Sequence, residues 1–170
     1  MFETCWTSAT GQFDVVLLDA ARERIESLAD DAHPNETGGV LVGHYTHGHR
    51  VALITEASAP PKDSAAGPSW FRRGRRGLVG WLHRLWAADD RRYYLGEWHY
   101  HPAYNADPSS EDIAQMRIIA SAPSYECPEP ILVIIGMQRG GSRAAHVVVV
   151  PRGAAEDHLQ SKRPTSTGPT

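Results

Sequence analysis

Apolar and polar positions along the chain alternate between strand-like and helix-like spacing. Phe13 to Leu18 reads as an opening strand and Asp19 to Ala32 (DAARERIESLADDA) as a first helix. An apolar run from Gly39 to Val42 leads into LVGHY, which pairs across a turn containing Gly48 with RVALITEA as a hairpin. Tyr93 to His101 predicts a further strand, and DIAQMRIIASA an apolar-periodic helix beginning near Ser109. Two more apolar runs, Ile131 to Met137 and Ala144 to Val150, flank the turn QRGGSR and predict another hairpin. Helices interleaved with a mixed set of strands point to an α/β layer fold.

Beyond Pro151 the chain becomes polar. Residues 1–157 are therefore expected to form one domain, and residues 158–170 a disordered tail with almost nothing to bury. Within the domain, residues 59–90 stand apart as an insertion. It places Arg72, Arg73, Arg75 and Arg76 beside Trp70 and Phe71, followed by Leu78, Trp81, Leu82 and Leu85 at helical spacing. Two readings are open there. The helix packs its apolar stripe on the core beneath solvated arginines, or the basic and aromatic groups line a substrate groove.

Composition narrows the class. A chain of 170 residues with 41% hydrophobic content can bury one adequate core. No run of about 18 apolar residues and no secretory leader is present, so a cytoplasmic, non-membrane protein is expected. Cys5 and Cys127 lie far apart without C-x-x-C spacing, which indicates neither a disulfide framework nor a cysteine-rich zinc site. A formal net charge of -3 argues against a general nucleic-acid binder.

The chemistry concentrates in GEWHYHPAYNADPSSED. On an extended strand residues i and i+2 share a face, so His99 and His101 can reach one point. Pro102 ends the strand, and Asp112 falls in the first turn of the following helix, within reach of the histidines. Two nitrogens and one oxygen leave a tetrahedral Zn²⁺ with an open fourth position, the mark of a catalytic site. Such a site needs a proton-handling group, and Glu36 in PNETGGVLVGHY, at the start of a strand, is the best candidate.

Taken together, Glu36 in ETGGVLVG, the H-x-H-P of His99 to Pro102, the seven residues between His101 and Ser109, and the S-x-x-D of Ser109 to Asp112 resemble the JAMM (JAB/MPN-plus) metalloproteases. The wording GEWHYHP and DPSSED looks most like the prokaryotic JAB branch. The resemblance spans roughly Asp19 to Val150. It implies a cytidine-deaminase-like α-β-α sandwich with a mixed sheet, Zn²⁺ held by His99, His101 and Asp112, Glu36 as general acid/base, and Ser109 as a hydrogen-bond donor to the tetrahedral intermediate. It also implies an isopeptidase acting after the C-terminus of a ubiquitin-like protein, or on a C-terminally conjugated CD-NTase in CBASS defence, with E1- and E2-like operon partners. An insertion in this region helps hold the substrate tail in such relatives, which favours the groove reading. A peptidase of small conjugates and a noncatalytic MPN scaffold are the alternatives. Tyr100 departs from the small residue that many relatives carry between the histidines. Its side chain should point away from the metal face.

Plainer readings stand beside these. Ser109 and Asp112 also form a capping-box-like helix start, and the two roles are compatible. Glu36 could be an ordinary surface acid, although Gly38 and Gly39 after it suggest close backbone approach. His44, His47 and His49 are read as a solvated turn. Glu97 shares the histidines' face, either orienting an imidazole N–H or pairing elsewhere as a buried edge residue. Trp98, on the opposite face, is expected in the core.

Overall fold

Val40 to Val42 and Ile131 to Ile135 are buried at every position, the signature of strands covered on both faces. The computed structural model describes residues 4–46, 48 and 50–162. In chain order they form β1 (Cys5–Thr7), β2 (Asp14–Leu17), α1 (Asp19–Ala32), β3 (Thr37–Thr46), β4 (Val51–Ala57), β5 (Ala65–Gly67), β6 (Trp70–Arg72), α2 (Leu78–Ala87), β7 (Tyr93–Tyr100), α3 (Ser110–Ser121), β8 (Ile131–Arg139), β9 (Ser142–Val149) and β10 (Asp157–Ser161). A single 3-10 turn, Pro123–Tyr125, follows α3.

The eight longer-range strands pair in the order β1-β10-β9-β8-β7-β3-β4-β2 and close on themselves. The sheet is mixed: β7 runs parallel to β8 and β2 parallel to β4, while the other neighbours are antiparallel. Period-two alternation sorts the side chains onto two faces. Ile131, Val133, Ile135, Val147 and Val149 join Trp6, Trp98 and Tyr100 and the α1 residues Ala21, Ile25 and Ala29 in one core. Leu132, Ile134, Val148 and Val150 pack on Met116 and Ile119 of α3 in the other. With α1 packed on one face of the mixed sheet and α3 on the other, the chain has the α/β layering that the pattern predicts and that the family resemblance implies as an α-β-α sandwich. No helix among the described residues is long and apolar enough to cross a membrane.

Three features differ from the sequence expectation. The tail expected from 158 onward instead begins with β10, whose Leu159 is buried in the first core and whose backbone pairs with both β9 and β1. One apolar residue in a polar stretch suffices because the neighbouring edges supply the ladder hydrogen bonds. Residues 163–170 of that expected tail, and His47 and His49 of the expected solvated turn, lie outside the described residues. The insertion contains a two-stranded sheet, β5 and β6, that periodicity did not reveal, paired Ala65 to Arg72 and Gly67 to Trp70. Finally, α2 follows the predicted spacing, but none of its residues is fully buried, and Val79 and Trp86 are exposed.

Candidate metal centre

Strand β7 carries the site because it lies between β3 and β8, in the interior of the sheet. Its alternation sends Trp98 and Tyr100 into the core, at 0% and 2% exposure, and leaves Glu97, His99 and His101 on the other face. Tyr100 bonds His33 Nδ1 at 2.9 Å from that inner side, so its difference from related motifs is one of packing. His101 lies one residue past the strand, and its N–H still donates to Ile135 O at 3.0 Å.

The loop after Pro102 delivers the chain to α3 with Ser109 as N-cap. The capping box is complete. Ser109 Oγ accepts the Asp112 N–H at 3.1 Å, and Asp112 Oδ2 accepts from the Ser109 N–H at 2.8 Å and from its hydroxyl at 2.7 Å. Asp112 Oδ1 is left for His99 Nδ1, 2.7 Å away, while His101 Nε2 lies 3.5 Å from Oδ2. The cap and the site are thus one device: the helix start aims the carboxylate at the histidines. Ligand atoms of His99, His101 and Asp112 all lie within 4.8 Å of one another.

Charge adjusts to this crowding. Burial alone would raise Asp112, but hydrogen bonds to His99 and Ser109 outweigh it and hold the carboxyl well below its ordinary range. Burial would lower His99, yet Asp112 and Glu97 push it up to about 9. His101 is lowered, chiefly by burial. Two imidazoles and a carboxylate held ionised, their donor atoms already converging, fit a divalent cation.

Glu36 immediately precedes β3. Antiparallel pairing sets Gly38 opposite His99 and Thr37 opposite Tyr100, so the same alternation puts Glu36 on the histidine face. Its N–H donates to Gly67 O of the insertion at 2.9 Å. Half-burial raises its pKa, the Asp112 charge adds to the rise, and His99 opposes it. Glu36 therefore shares the field of the cluster without belonging to it.

Gly38 explains how β3 approaches so closely. A Cβ there would lie 2.5 Å from Trp98 O, 2.8 Å from His99 Cδ2 and 2.9 Å from Phe71 Cε1. Gly38→Ala is expected to cost about 1–3 kcal/mol through overpacking, and to weaken metal uptake by displacing the His99 ring. Thermal melting with and without added metal checks this. An unchanged midpoint with unchanged uptake would contradict the close approach.

Glu97 is paired elsewhere, with Arg73, and also faces His99. It is buried at 2% exposure, pairs with Arg73 at 2.7 Å, and turns its other oxygen to His99 Nε2 at 3.7 Å. Burial would raise its pKa, but His99 and Arg73 keep it lowered and the carboxylate charged. Phe71 meets the His99 ring edge to face at 5.8 Å. A cleft of about 340 Å³ opens beside the cluster, lined by Phe71, Arg72, Arg75, Glu111 and Gln115 among others. Sequence reading marked the aromatic and basic residues of the insertion but missed that Phe71 and Arg73 touch the histidine strand. Their i and i+2 spacing, from a short strand into the residue after it, was the available signal.

Residues 18–151 match the family model described as prokaryotic homologs of the JAB domain. A protein of Enterobacter hormaechei subsp. hoffmannii (strain UCI 50) named "CD-NTase/cGAS isopeptidase" is 37% identical over 158 residues, 93% of this chain and 87% of that protein. A protein of the same name from Pseudomonas aeruginosa (strain BWHPSA011 / Pa011) is 26% identical over 144 residues, 82% of each chain. The solution structure of protein DSY2949 from Desulfitobacterium hafniense superposes with a TM-score of 0.64 at 21% identity, covering 85% of this chain and 88% of that one. That likeness speaks for the fold.

Proposed function

The chain belongs to the family of prokaryotic homologs of the JAB domain, and on that premise we propose that it is a zinc-dependent isopeptidase. Its substrate would be an amide bond following the C-terminus of a CD-NTase or a ubiquitin-like protein, in a system that supplies E1- and E2-like conjugation partners. The observation that carries this reading is the convergence of His99, His101 and Asp112 within 4.8 Å beside a cleft, with Glu36 held in their electrostatic field. The names of the two relatives supply the substrate class.

When bound by His99, His101 and Asp112, zinc supplies Lewis-acid polarisation of the scissile carbonyl and acidification of water toward a pKa of about 7. The chain's own residues do the rest. Glu36, its carboxyl pKa raised by burial and by the Asp112 charge, takes a proton from the attacking water and returns one to the departing amine. Net hydrolysis breaks the C–N bond, places the water oxygen on the acyl carbon and leaves the amine protonated. Asp112 is held in place by the Ser109 cap, so the donor set is preorganised. Ser109 is the proposed donor to the developing oxyanion, toward which its hydroxyl would turn from Asp112 Oδ2. Arg72 and Arg75 along the cleft give it a positive wall suited to an extended tail.

The test pairs a CD-NTase carrying a C-terminal amide-linked reporter, and a ubiquitin-like protein linked to a lysine amine, with short peptides of the same terminal sequence. Intact-mass analysis is expected to show hydrolysis at the C-terminal amide of a folded substrate, at least tenfold faster than in the short peptides. Preference for the short peptides would move the assignment to a small-conjugate peptidase. No cleavage of any amide by zinc-loaded protein would move it to a binding scaffold.

A further inference from the structure

Arg73 lies in the insertion, 24 residues before Glu97, yet its head group is directed at the histidine strand. It donates from Nε at 2.9 Å and from Nη2 at 2.7 Å, both to Glu97 Oε1. The Tyr94 hydroxyl donates to the same oxygen at 3.3 Å. With Oε1 engaged by these donors, Oε2 faces His99 Nε2 at 3.7 Å. The opposite nitrogen of that ring, Nδ1, is the one at 2.7 Å from Asp112. Arg73 is itself held, donating from Nη2 to the Tyr125 hydroxyl and from Nη1 to Gly74 O, each at 3.2 Å. The Arg73 and Glu97 side chains are only 9% and 2% exposed.

A buried charge pair is weak evidence of a contribution to stability, since well-packed apolar groups often replace one without loss. A carboxylate facing the ring nitrogen opposite the donor set has a more specific use. It faces that edge of the ring from the side away from Asp112 and so fixes the ring plane.

We infer that Arg73 is a positioning residue for the metal centre: by engaging one oxygen of Glu97 it holds the other toward His99 and so sets the direction of that ring. This rests on the metal-centre reading above. It makes the insertion part of the machinery that holds the ion, in addition to any part it has in docking substrate. Phe71, two residues earlier in β6, adds the lateral contact to the ring, so β6 and the residue that follows it both bear on His99.

Full-length wild type, Glu97→Gln, Arg73→Lys and the double variant Arg73→Met with Glu97→Leu decide the matter. The double variant replaces the buried pair by apolar side chains so that folding is retained. Zinc affinity is measured by competition with a chromophoric chelator, the Co²⁺ complex by its visible absorption, and folding by circular dichroism. Glu97→Gln and the double variant are expected to bind zinc about 10- to 100-fold more weakly with an altered Co²⁺ spectrum. Arg73→Lys, which keeps the charge but not the paired donors, is expected between them and wild type. Arg76→Ala, whose backbone rather than side chain is anchored, by Asp63, is the unaffected control. Wild-type zinc affinity and Co²⁺ spectrum in Glu97→Gln and in the folded double variant would overturn the inference alone. If the double variant does not fold, wild-type affinity in both Glu97→Gln and Arg73→Lys does so. A wild type that takes up no metal overturns it together with the metal-centre reading.

Discussion

Glu36→Gln is expected to take up metal as the wild type does while losing about 10²- to 10⁴-fold in turnover, the span that a positioned general acid or base contributes. The separation follows from where Glu36 sits. It lies at the mouth of β3, outside the three groups whose donor atoms converge, and its backbone is tied to Gly67 of the insertion rather than to a ligand. Glutamine keeps the length and the backbone contact but cannot accept and return a proton. Removing a negative charge that opposes Asp112 also leaves the ligand carboxylate no less ionised. Metal content per chain together with kcat on one conjugated substrate checks both halves. Equal loss of metal in Glu36→Gln and in a ligand variant would make Glu36 a ligand and remove the acid/base assignment.

Asp112→Ala is the second large expected effect, and it acts in two places at once. The substitution removes the one carboxylate of the proposed donor set, so metal affinity is expected to fall by more than the roughly 10- to 100-fold seen when a supporting residue is lost, and activity with it. It also deletes half of the capping box, which costs about 1 kcal/mol. In a domain of this size that corresponds to roughly 2–4 °C in Tm. Asp112→Asn separates the two. Its amide oxygen can still accept the Ser109 N–H at the helix start, so its Tm is expected near wild type, while the lost charge still weakens metal binding. If Asp112→Ala lowered Tm and left metal uptake intact, the carboxylate would be a cap only.

Much of this centre was legible in the chain because its geometry is local. His99 and His101 share a face through the period of a strand, Asp112 is placed by a helix start with its own sequence signature, and Gly38 announced a close approach that the packing of Trp98, His99 and Phe71 makes concrete. Glu36 was found from its place at the start of a strand, and pairing of β3 with β7 carries it to the histidine side. What periodicity could not show was set by long-range pairing. The three-residue strands β1, β5 and β6 are too short to carry a pattern, and β10 exists because β9 and β1 offer it edges. The partner of Arg73 follows the same rule. A run of four arginines looks like a solvated or docking face, and only the fold of the insertion directs one of them into a buried carboxylate.

The apolar stripe of α2 shows the converse. Leu78, Trp81, Leu82 and Leu85 do lie at helical spacing, yet they are only half-buried and cover no core. Periodicity predicted the helix and left its packing open between two readings, because amphipathicity alone does not name the surface that a helix meets.

The most direct test of the central claim is amide cleavage of a CD-NTase C-terminal conjugate by one protein preparation before chelation, after chelation and after zinc is restored, with bound metal counted at each stage. About one zinc per chain, cleavage lost with the metal and regained with it, is the result expected from a centre built on His99, His101 and Asp112. Undiminished cleavage by the metal-free protein would contradict it.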